Sequence, residues 1–87
     1  MNNEQRILTM KSRLESQFSP SRLVIVDESH LHAGHAGAKG GLGHFRLTIC
    51  SEQFQGLRPL QQHRLIYDAL GEMMQTDIHA LSIHASS

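Results

Sequence analysis

One stretch governs what this chain is able to fold into. Residues 28–43, ESHLHAGHAGAKGGLG, hold five of the seven glycines and carry neither helical nor strand periodicity. Glycine loses more backbone freedom on folding than any other residue, so the stretch reads as a long connection rather than an element. Long connections in compact domains tend to carry function. The regular elements must therefore lie on either side of it.

Before it, Ile7, Met10 or Lys11, Leu14 and Phe18 recur at steps of three and four. This predicts an amphipathic helix over 3–18, with Arg6, Lys11, Arg13 and Glu15 on its other side. Ser19-Pro20-Ser21 ends that helix, because proline disfavours helical backbone in the residue before it. Arg22–Val26 is short and β-branched, and it predicts a central strand. After the glycine-rich stretch, Phe45, Leu47 and Ile49 alternate with His44, Arg46, Thr48 and Cys50. The two strands form a hairpin with a wide connection.

Ser51–Phe54 predicts a short helical turn before Gly56. Pro59 then opens a helix whose apolar residues, Leu60, Leu65 or Ile66, Leu70 and Met73 or Met74, run to about Thr76. Ile78–Ile83 alternates again, with Ile78, Ala80 and Ser82 opposite His79, Leu81 and Ile83. The expected fold is α+β, an αββααβ sandwich with a three-stranded mixed sheet and helices on one face. The last strand returns through a right-handed crossover if it lies parallel to its neighbour. With 87 residues, the chain is expected to be one domain over 1–87.

Composition narrows the function. Eight Lys and Arg balance eight Asp and Glu, which disfavours strong binding to a phosphate backbone. The apolar run Leu23–Val26 is far too short to span a bilayer, and the N-terminal residues lack signal or transit character. The single cysteine, Cys50, excludes an internal disulfide framework and a Cys-only metal site, and a cytoplasmic, reducing setting is expected. No enzymatic activity is expected, since no GxSxG elbow, P-loop or GxGxxG is present. Asp27 and Glu28 point to opposite faces and make no carboxylate pair. Cys50 reads as an inert, partly buried thiol with no basic neighbour in sight. AGAKGGLG lacks a following helix and is not a phosphate cradle.

Histidine is the outlier, with seven residues. His84 reads as exposed and inert, His63 as a polar residue of a helix face, and His44 as structural, its ring bonding a backbone carbonyl. His30, His32 and His35 crowd the glycine-rich stretch, either as solvated polar residues or as metal ligands, and His79 opens the last strand. Neutral imidazole is a good ligand for zinc, copper, iron and nickel. Neither HExxH nor CxxC is present, and the three-residue step from His32 to His35 has no helical-face meaning on a loop. A partial ligand set on one chain hints at a site shared with a partner.

The segments VIVDESHLHAGHAG, GHFRLTICSEQFQGLRPLQQHRLIYDAL and DIHALSIHA, in this order and spacing, resemble the BolA family over roughly residues 5–85. The resemblance implies a type II KH-like arrangement, although the KH Gly-x-x-Gly clamp does not stand between the helices here. It implies a monothiol glutaredoxin as partner and a 2Fe-2S cluster shared with that protein and its bound glutathione. The cluster is absent from the free protein, which is expected to be a monomer. His79 is the implied ligand from the last strand. The second ligand is implied to come from the loop, as His32 or His35. The implied role is iron–sulfur cluster trafficking or iron regulation. The family also suggests a competing reading as a DNA-binding transcriptional regulator. This would use the helix 59–75 with Arg58, His63 and Arg64, and weak affinity is expected from zero net charge. A third reading is a free-standing histidine site for zinc or copper.

Overall fold

The computed structural model describes residues 2–29 and 43–87. Helix α1 spans Asn3–Phe18. Asn2 caps it reciprocally with Gln5: Asn2 Oδ1 accepts the Gln5 N–H at 2.8 Å, and Gln5 Oε1 accepts the Asn2 N–H at 3.0 Å. Ser19, at φ 44°, turns the chain out of the helix just before Pro20. The buried stripe is Arg6, Met10, Leu14 and Phe18, one residue every fourth position. Lys11 is exposed and Ile7 packs at the margin of the core. The expectation that Arg6 faces solvent is corrected, because it opens the buried stripe.

Strands β1 (Arg22–Asp27), β2 (Gly43–Cys50) and β3 (Ile78–Ser86) form one sheet in the order β1-β2-β3. β1 is antiparallel to β2, from Arg22 opposite Cys50 to Asp27 opposite Phe45, and β2 is parallel to β3. The first strand is therefore an edge, not the centre. A β-branched run suits any pleated surface and cannot report its place in the sheet. Val24 and Val26 remain 40% and 36% exposed on the face that the helices leave open.

After β2, Glu52–Phe54 form a 3-10 turn whose cap, Ser51, accepts the Gln53 N–H at 3.2 Å and donates to the Phe18 carbonyl at 2.7 Å. Helix α2 runs Pro59–Leu70 and a single turn, α3, runs Met73–Thr76. The single helix expected to reach about Thr76 is thus broken at Gly71, whose φ of 57° glycine adopts without strain. Arg13 seals the break by donating from Nη1 to the Leu70 carbonyl at 2.7 Å. Met10, Leu14 and Phe18 of α1, Ile66 and Leu70 of α2, Met73 of α3, and Phe45, Leu47, Ile49 and Ile78 of the sheet form one core together with Phe54.

β3 does not alternate as its sequence suggests. Ile78 pairs with Gly43 and Ala80 with His44, so His79 is an inserted residue. The bulge shifts the phase: Ile78 is buried in the core on the same side as Leu81 and Ile83, while Ala80 and Ser82 are exposed. A bulge depends on the neighbouring strand, which local alternation does not contain.

Candidate functional site

The site takes shape where β2 begins, at the end of the sheet nearest the bulge. β-bulges re-aim side chains and recur beside functional sites. Here the inserted residue is His79, exposed, with its ring centroid 4.9 Å from that of His44 and the two planes tilted by 48°. His44 opens β2 and is buried. The reading of His44 as structural agrees with its burial, and the ring contact that the structure shows is with His79. Gly43 precedes it at a tight point, since a Cβ there would collide with the edge of the Phe45 ring.

A polar seam fixes this end of the sheet. Asn3 Nδ2 donates to Asp27 Oδ2 and to Ser29 Oγ, both at 3.1 Å. Asn3 Oδ1 accepts from Arg6 Nη1 at 2.9 Å, and Arg6 Nε donates to Asp77 Oδ1 at 3.2 Å. The Asp77 carbonyl accepts the Gly43 N–H at 3.0 Å. The start of α1 is thereby tied both to the end of β1 and to the residue pair just before His79. Asp77's carboxyl lies below its ordinary range. The Thr76 hydroxyl, donating at 2.9 Å, is the main cause, and Arg6 adds a hydrogen bond and its charge against the opposing cost of desolvation. Asp27 turns toward α1 and Glu28 toward Arg46, 3.4 Å away, so the two carboxylates do diverge.

Of the sequence-derived candidates, His79 stands exposed at the bulge. His32 and His35, together with His30, lie outside the described residues. Arg58 and Arg64 are exposed at the start of α2, His63 is half-buried there, and His84 is exposed on β3. Among the described residues, no group of three or more His, Cys, Asp or Glu is gathered as a metal site. The seam of Asn3, Arg6, Ser29 and Asp77 escaped the sequence reading. Its one signal was Arg6, spaced four residues before Met10 and so in register with the apolar stripe.

Cys50 requires a correction. Arg22 stands directly across from it on β1. Hydrogen bonds with the Ser21 and Ser86 hydroxyls, and then the Arg22 charge, hold the thiol below its ordinary value against desolvation. The basic neighbour missing from the sequence was supplied by strand pairing. Cys50 lines a cleft of about 590 Å³ with Phe18, Ser21 and Gln53, at the opposite end of β2 from His44. No helix among the described residues is long and apolar enough to cross a membrane.

Comparison with known proteins gives this arrangement its context. The family pattern described as BolA-like protein matches residues 14–87. The chain is 43% identical over 83 residues to the chloroplastic protein BOLA1 of Arabidopsis thaliana, covering 92% of this chain and 52% of that one, so it spans about half of that relative's length. It is 37% identical over 75 residues to the DNA-binding transcriptional regulator BolA of Vibrio cholerae, covering 86% and 68% of the two chains. The fold superposes on the BolA domain of SufE1 from Arabidopsis thaliana with a TM-score of 0.83 at 41% identity, covering 93% of this chain and 90% of that one.

Proposed function

The chain belongs to the BolA-like protein family, and from that premise we propose that it is a non-enzymatic partner of a monothiol glutaredoxin. The two proteins share a glutathione-assisted 2Fe-2S cluster in iron–sulfur cluster trafficking or iron regulation, in a cytoplasmic setting. On this chain the ligands are His79 and one histidine of the glycine-rich segment, His32 or His35. The observation that carries the reading is the exposed imidazole of His79, set at the inserted position of an otherwise regular strand.

The donor set suits such a group. His79 offers one imidazole nitrogen from a strand that is anchored through Asp77, Arg6 and Asn3. A second imidazole from the segment beyond Ser29 completes this chain's half. The glutaredoxin cysteine and its glutathione supply thiolates for the other half. When bound, the cluster supplies one-electron redox chemistry, at a potential raised by imidazoles in place of thiolates. Metal binding needs the lone pair of a ring nitrogen, so His79 ligates only through a nitrogen that carries no proton.

Co-expression with a monothiol glutaredoxin, followed by visible absorption and circular dichroism, tests the proposal. The native pair is expected to be coloured. His79→Ala is expected to remove or reshape the spectrum, and an unchanged spectrum would take His79 out of the ligand set. The second reading is DNA binding through Arg58, His63 and Arg64. It is favoured by the Vibrio cholerae relative, which is named a DNA-binding regulator, and weighed against by the zero net charge.

A further inference from the structure

Among the described residues, His44 is the buried histidine, with 5% of its surface exposed, and its backbone is held from two sides. Its carbonyl accepts the Glu28 N–H at 2.8 Å, and its own N–H donates to Ser29 Oγ at 3.0 Å. Ser29 Oγ in turn accepts from Asn3 at the start of α1. His44 is thus a fixed point where β1, β2 and α1 meet.

His79 is its opposite in character. It is exposed, and it is the residue that the bulge inserts between the pairs Ile78–Gly43 and Ala80–His44. An exposed imidazole on a strand ordinarily samples several staggered rotamers. Here one flank of the ring lies against the His44 ring, 4.9 Å between centroids. A flat, immobile neighbour removes rotamers that would sweep through it.

We propose that His44 is a positioning residue: its buried ring is the platform that holds the His79 imidazole in one orientation before any metal arrives. The proposal rests on the reading of His79 as a ligand and adds the residue that prepares it. Ligation by a ring already ordered loses less side-chain freedom than ligation by a free one. The order of construction is then visible along the chain. Asp27-Glu28-Ser29 fixes His44, and His44 orients His79.

Two variants separate the ring plane from the rest of the residue. His44→Phe keeps a flat ring of similar size, while His44→Leu fills the buried volume without one. In the free protein, three-bond couplings are expected to report a single χ1 rotamer for His79 in the native chain and in His44→Phe, and averaging in His44→Leu. In the complex with a monothiol glutaredoxin, a chelator is expected to strip the cluster about two- to tenfold faster from His44→Leu than from the native pair, with His44→Phe close to native. Unchanged couplings in His44→Leu would overturn the proposal. So would a His44→Phe variant that behaves like His44→Leu, since the role would then belong to the ring nitrogens. If His79→Ala leaves the spectrum intact, the shared-site reading fails on its own, and the couplings still decide whether the platform exists.

Discussion

Arg6 shows how one residue reads differently in sequence and in space. Its side chain is only 10% exposed, and it meets Asp77, 17% exposed, from the far end of the chain. Breaking such a pair leaves a carboxylate with poor solvation and fewer partners. Arg6→Met is expected to lower stability by about 2–3 kcal/mol in urea unfolding, less than for a fully buried pair because both groups keep some solvent. The pH dependence follows from Asp77, whose folded pKa is depressed first by Thr76 and then by Arg6. A carboxyl with a depressed folded pKa contributes stability that is fully present above the ordinary carboxylate range near pH 4. That stability is lost as pH falls through the lower folded value. Arg6→Met raises Asp77 toward its ordinary value, so acid unfolding should begin at a higher pH than in the native chain. An acid midpoint that stays in place would show that Arg6 has no part in the Asp77 titration.

Among the elements, β3 is the most informative. Its pairing makes His79 an insertion in an otherwise regular parallel ladder, with Ile78 on the core side against Gly43 and Ala80 on the outer side against His44. Deleting residue 79 therefore joins two residues already in the correct phase, whereas deleting a residue from a regular strand flips every side chain beyond it. The deletion is expected to leave the urea midpoint within the range of an ordinary surface change, about 0.5 kcal/mol, while removing the proposed ligand. Deleting Ser82 is expected to unfold the domain, because Ile83 and Ala85 would leave the core. Comparable losses from the two deletions would refute the description of the bulge. α2 teaches a related lesson. Its apolar stripe continues through Met73, and only the backbone of Gly71, sealed by Arg13, breaks the helix.

At the scale of the molecule, the three strands and the helices among the described residues leave one sheet face without helical cover from those residues, bearing Val24, Val26 and Arg46. Basic groups do not dominate the chain: eight Lys and Arg are matched by eight Asp and Glu. Electrostatic attraction to a phosphate backbone should therefore be slight. Fluorescence anisotropy with a duplex DNA at about 150 mM salt is expected to show no binding tighter than about 10⁻⁵ M, within the range of weak non-specific contact. A tight, salt-dependent isotherm that Arg58→Ala and Arg64→Ala abolish would instead favour the regulator reading.

Element order, the two amphipathic stripes, the alternation of β2, the start of α2 at Pro59 and the family were all legible in the residues. Each depends on neighbours within a few positions or on a pattern of short motifs. The place of β1 at the edge, the phase of Ile78, the burial of Arg6 and the basic neighbour of Cys50 were not. Each is set by a partner far along the chain: β2 for β1, Gly43 for Ile78, Asp77 for Arg6, Arg22 for Cys50. The meeting of His44 with His79 belongs to the same class. Local periodicity records which face a residue prefers, and only the closing of the sheet decides what that face will meet.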